Sequence, residues 1–296
     1  MIIRDKPRKL DLLFALRGSI VPVIAPRILF LMAVSLIVVL LHEWVRPFPR
    51  FSESAFTIFG IALSLFLGFR NNAAYERWWE ARKLWGGLLA DLRALARETD
   101  IFMQSRERRW EILHLAMAFI HLHRCNLRRL HDDARARELA AALLDTPHPP
   151  CAAMDLMGDC VRRAHADGAM DGFGARALAE RLASITVQQA ACERIATTPL
   201  PYVYSLLIYR TTYAYCLLLP LALVNTAGWI TPLLVGIVAY VFLGLAEVSE
   251  ELSHPFGTTP NALPLDAICR AAEISLAPHV GRPAPPPLAA RDYYLS

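Results

Sequence analysis

Residues 55–86 read AFTIFGIALSLFLGFRNNAAYERWWEARKLWG, and their reading decides the fold. The stretch starts as apolar sequence of membrane grade and changes character at Phe69–Arg70, after which charges and aromatics recur at helical spacing. It holds no proline, and no glycine between Gly68 and Gly86. This pattern predicts one long helix, roughly 45 Å at about 1.5 Å per residue, half in an apolar medium and half in water. Ile61, Leu65 and Phe69 recur every four residues and so form one narrow stripe. Ordinary helix packing would also produce such a stripe. The same face, however, continues through Ala73 into Glu76 and Glu80. An apolar constriction followed by a charged vestibule is natural in an ion pore, where apolar side chains gate by excluding water. A stripe of this kind needs a ring of copies, hence a symmetric oligomer.

Outward from this stretch, the composition agrees. The chain has 296 residues, 55% of them hydrophobic and 20% charged, with a net charge of +4. Its mean hydropathy is +0.34. It is more apolar than an average soluble domain, yet its charges are concentrated, which points to a membrane protein with a sizeable water-facing part. No basic patch is interleaved with aromatics, so no nucleic-acid partner is expected.

Five regions follow. Residues 1–27 are a basic, amphipathic segment suited to a membrane surface, and they lack the apolar core and cleavage site of a signal peptide. Residues 28–69 hold two apolar runs, Ile28–Leu41 and Ala55–Phe69, with Ser54 as the expected N-cap of the second. Residues 70–198 are water-soluble in character, with helical periodicity in Leu84, Leu88, Leu92 and Leu95 and again in Ile112, Leu115, Phe119 and Leu122. Breaks fall at Thr146–Pro150 and Asp167–Gly174. Residues 199–246 hold two more spans, and 247–296 form a C-terminal segment with a proline-rich tail. The expectation is an all-α membrane protein with about four transmembrane helices. Arginine is abundant in the N-terminal segment and the 70–198 block and sparse in the loops 42–54 and 225–228, which places both termini and the central block in the cytosol.

The sequence contains no nucleophile elbow, P-loop, GxGxxG or HExxH, so no enzyme and no cofactor is expected. His114 and His121 could share a helix face, but no carboxylates stand at metal spacing around them, and Asp155–Asp159 reads as surface charge. The six cysteines form no CxxC pair and read as reduced, small apolar fillers. Arg210 lies inside an apolar run, where a charge is costly. It is expected to face protein or to pair with an acid, Glu247, Glu250 and Glu251 being the candidates for a buried pair, with ion attraction as the functional alternative. Trp78 and Trp79 read as core or interface anchors.

Three motifs, FLGFRNNAAYERWWEARKLWG, CERIATTPLPYVY and EELSHPFGTTPNALPLDAI, resemble the bestrophin family in its bacterial branch, in the family's order. The resemblance spans about Arg17 to Glu273. It implies a homopentameric channel for small monovalent ions, largely helical, in the bacterial inner membrane, with the lipid bilayer and its own copies as partners. It also implies that Ile61, Leu65 and Phe69 form the pore neck and Phe173 a cytosolic aperture. The family label implies chloride, while Glu76 and Glu80 below the neck would enrich cations, leaving a sodium or potassium channel as the alternative. A membrane-anchored scaffold is the alternative of another class. Animal members carry an acidic calcium-binding run after the HPFG-like motif. Here Thr258, Thr259, Asn261 and Ala262 stand in that run and only Asp266 is acidic, so no calcium clasp is expected.

Overall fold

The computed structural model describes residues 1–3, 15, 18–49 and 51–296. Residues 4–14, 16 and 17 of the amphipathic segment expected over 1–27 therefore lie outside the described residues. Nine α-helices are described: α1 Val21–Trp44, α2 Glu53–Phe102, α3 Arg106–Arg128, α4 Ala134–Ala140, α5 Pro149–Ala166, α6 Gly172–Thr197, α7 Tyr202–Ala227, α8 Thr231–Ser253 and α9 Leu265–Leu276. No strand occurs among the described residues beyond isolated bridges.

The helix starts follow from local chemistry. Asp133, His148 and Asp171 cap α4, α5 and α6 by accepting from backbone N–H groups of the first turn, and Ser105 does so for α3. The expected break at Thr146–Pro150 is the entry to α5, where proline occupies the first turn without losing a hydrogen bond. Ser54, expected as an N-cap, instead lies inside α2, which starts at Glu53. The long helix runs past Gly86–Gly87 to Phe102, making 50 residues. Gly87 is accommodated because a Cβ there would come within 2.9 Å of the Gln188 amide carbon.

The chain divides into two compact units. The first comprises Asp5–Trp78 and Pro199–His254. Its core is apolar and drawn from four helices: Ile24 and Leu31 of α1, Leu63 and Leu67 of α2, Ile208, Tyr215 and Leu219 of α7, and Val235, Phe242 and Leu243 of α8. α7 and α8 are joined by a single 3-10 turn, Gly228–Ile230, entered through Gly228 at φ +50°, a conformation open to glycine. Among the described residues, three stretches are long and apolar enough to cross a membrane: α1, α2, and the run Tyr202–Ser253 that contains α7 and α8.

The second unit comprises Met1–Arg4, Trp79–Thr198 and Pro255–Ser296. Here the packing is of water-soluble type. Trp85, Leu88, Leu92 and Leu95 form a buried stripe along α2, and Ile112, Leu113, Phe119 and Ile120 do so on α3. α3 packs against α4, α5 and α9.

Candidate functional site

The apolar half of α2 has two faces. Leu63, Leu67 and Arg70 are buried, as is Gly60, where a Cβ would meet the Tyr215 hydroxyl at 2.7 Å. The opposite face carries Ile61, Leu65 and Phe69, which are 65%, 57% and 61% exposed. Steps of four residues advance a side chain by about 40° around the axis, so the three stay in one file. None of these side chains can hold an ion by hydrogen bonding. The file is an unsatisfied apolar surface on a helix whose other face already supplies the core.

Where the apolar sequence of α2 ends, arginines tie it to its neighbours. Arg70 is buried and donates to Ser205 Oγ at 3.0 Å, to the Ala246 carbonyl at 3.5 Å and to the Glu250 carboxylate. Arg77 Nε donates to the Ser253 carbonyl at 2.8 Å. Arg27 of α1 pairs with Glu247 at 3.0 Å. Sequence reasoning missed these pairs, although an arginine closing an apolar run was a readable signal. The expected burial of Arg210 against one of these acids is not what the structure shows. Glu247 and Glu250 are held by Arg27 and Arg70, and Arg210 is exposed on α7, with no ion pair among the described residues. It stands opposite the buried face formed by Ile208, Thr212, Tyr215 and Cys216.

The two expected vestibule carboxylates differ. Glu76 is exposed and has no ion-pair partner among the described residues. Glu80 is paired with Arg194 at 2.7 Å. Phe173, the second residue of α6, is 83% exposed. Trp79 is 47% exposed and Trp78 half-buried.

Elsewhere in the second unit the titratable groups are structural. Burial pushes the Glu273 carboxyl up, but hydrogen bonds from His121 at 3.0 Å and Arg135 at 2.6 Å outweigh it and hold its pKa at about 2. Burial likewise opposes ionisation of Asp266, and Arg128 and Arg124 overcome it, keeping that carboxyl below its usual range. Among the described residues no group of three His, Cys, Asp or Glu could hold a metal ion.

Known proteins share this chain's sequence and fold. The profile of the bacterial and fungal bestrophin proteins matches residues 1–278. A voltage-dependent anion channel-forming protein of Mesorhizobium japonicum is 44% identical over 304 residues, covering 100% of this chain and 97% of the relative. One of the same description from Escherichia coli K12 is 37% identical over 285 residues, 93% of each chain. Among solved structures, a bacterial bestrophin homologue from Klebsiella pneumoniae superposes with a TM-score of 0.83 at 32% identity, covering 88% of this chain and 99% of the other.

Proposed function

The chain belongs to the bacterial and fungal bestrophin family, and from that premise we propose that it forms a homopentameric anion channel in the bacterial inner membrane. The family and the named relatives point to a channel and not to an enzyme. In this reading α1, the apolar half of α2, α7 and α8 cross the bilayer, and both termini and residues 70–198 face the cytosol, as the distribution of arginine requires. Ile61, Leu65 and Phe69 of each copy line the neck, and Phe173 rings the cytosolic aperture.

The observation that carries the reading is the exposed file on α2. Three large apolar side chains point away from the core on the helix that also supplies that core. A ring of such files makes a dry constriction. Arg210 supports self-association: a charge on the outer face of an apolar helix is expensive against lipid and calls for a protein or water neighbour. Pairing of Glu80 with Arg194 removes one of the two charges that would favour cations, which supports the anion reading. The unpaired Glu76 is the observation that favours a monovalent cation channel instead.

Purified protein in liposomes under a salt gradient tests both. An anion channel sets the reversal potential at that of chloride, and a value at the cation potential replaces it with the alternative. Exchanging Ile61, Leu65 and Phe69 together for alanine widens and wets the neck, so flux should rise by about tenfold or more. Unchanged flux with lowered stability would instead mark a scaffold.

A further inference from the structure

At the end of the first unit where apolar sequence gives way to charge, α1, α2, α7 and α8 enclose a cleft of about 270 Å³. Its polar lining is Arg27, Arg70, Ser205, Tyr209, Glu247 and Glu250. Two guanidiniums and two carboxylates therefore share one small space, and they are already matched as Arg27–Glu247 and Arg70–Glu250. The Arg70 Nε is buried and has no acceptor, although the side chain's other nitrogens are bonded. That donor has no acceptor among the described residues, and a buried donor left without one is costly. The cleft is open at Arg27, whose side chain is 37% exposed, at Tyr209, 51% exposed, and at Glu250, whose side chain is 50% exposed.

The charge balance selects the occupant. A simple anion would gain the arginines and meet both carboxylates, and a simple cation would meet the reverse. A ligand carrying both signs satisfies both halves. Position selects its source. Ser205 is in the first turn of α7, Glu247 and Glu250 are in the last two turns of α8, and Arg70 closes the apolar run of α2. These are headgroup heights if the helices cross a bilayer, and basic pockets between transmembrane helices on the cytoplasmic side are known to take lipid headgroups. Phe30, one turn from Arg27 on α1, is 56% exposed and offers an apolar surface for acyl chains.

We propose that this cleft binds the headgroup of a phospholipid bearing a phosphate and a primary ammonium. The phosphate accepts from Arg27 and, once the Arg70 guanidinium turns its buried Nε toward the cleft, from Arg70, and the ammonium donates to Glu247 and Glu250. The proposal rests on the helices lying in a membrane and is independent of which ion the protein passes.

The test is native mass spectrometry of the intact, detergent-purified protein with phosphatidylethanolamine, phosphatidylcholine or phosphatidylglycerol of matched acyl chains. Phosphatidylcholine keeps both charges but loses every N–H donor, and phosphatidylglycerol loses the cation. Retention of phosphatidylethanolamine should exceed the other two by roughly tenfold, the factor one charge-assisted hydrogen bond supplies. Glu247→Gln should erase that preference, and Arg27→Gln should lower retention of all three. Equal retention of the three lipids by the unmodified protein overturns the proposal without recourse to any variant, as does a preference for phosphatidylglycerol. Soluble phosphoethanolamine that competes as well as the lipid would also overturn it, because the ligand would then come from water. Ion flux measured on the same preparation keeps a failed channel assignment separate from a failed lipid site.

Discussion

His123 is fully buried between the rings of Trp85, 5.6 Å away, and Phe119, 5.7 Å away, and neither of its nitrogens has a hydrogen-bond partner among the described residues. Burial, reinforced by the charge of His148, pushes its pKa down to about 3. Below pH 6.5 the unfolded chain binds a proton there that the folded chain refuses, so stability falls as pH falls, by about 1.4 kcal/mol per unit. His114, pushed down by burial and by Arg282, adds to the slope, and Glu273, lowered to about 2, adds in the same direction but mainly below pH 5. Thermal unfolding of the intact protein should therefore show a midpoint that drops over that interval, and His123→Phe, which keeps the stacked ring, should flatten the drop. A slope unchanged in that variant would remove His123 as its source. Asp266 leads to a second expectation. Its carboxylate is occupied by Arg124 and Arg128, so a calcium ion would have to displace two guanidiniums and find further oxygen ligands among Thr258, Thr259 and Asn261. Flux should stay flat through a calcium titration, and sharp sub-millimolar activation would contradict this. At the same scale the sequence was least readable: Glu76 and Glu80 look equivalent in a string of letters, and only folding brings Arg194, 114 positions away, against one of them.

Elements were far more legible than pairings. The absence of proline and the leucine period announced α2, and its length was underestimated only because Gly86–Gly87 reads as a stop until Gln188 is seen lying against it. α9 escaped notice although its period is present: Leu265, Ile268, Cys269, Ala272 and Leu276 recur at steps of three and four and are buried, but the signal lasts only twelve residues between proline-rich segments. What joins elements was invisible, since a salt bridge between distant helices leaves no local pattern. Arg181 of α6 is the clearest case. It reaches Asp91 at 2.7 Å and Glu98 at 2.8 Å on α2, while Ser184 donates to the other oxygen of Asp91 at 2.8 Å. Asp91 is buried, so Arg181→Ala strands a carboxylate that the core cannot solvate. The cost should be about 3 kcal/mol, read as a lowered unfolding midpoint, and Arg181→Lys should recover little of it because a single ammonium cannot bridge two carboxylates. Arg176→Ala, which removes only the exposed pair with Glu180, should leave the unfolding midpoint essentially unchanged. Equal losses in the two variants would mean that the buried pair acts like a surface one.

For the molecule as a whole, class and family could be read from the sequence because both depend on long-range averages and on three ordered motifs. A ring of copies was suggested by the stripe of Ile61, Leu65 and Phe69, but the number of copies could not be read, because that file is exposed and meets no partner among the described residues that would count them. A separate feature of the chain offers a way to count what it faces. Of six free cysteines, Cys151 alone is exposed. The others are buried, and burial pushes the thiols of Cys160 and Cys192 up to about 12 and raises those of Cys125 and Cys269 as well. Thiolate is the reacting form, so these sites are protected by both access and ionisation. A maleimide dye added to the native protein at neutral pH should attach once per chain. Unfolding first should raise the number of accessible thiols to six. Each complex then carries as many fluorophores as it has subunits, and single particles should bleach in discrete steps whose maximum number is the subunit count, five if the assembly is the pentamer proposed.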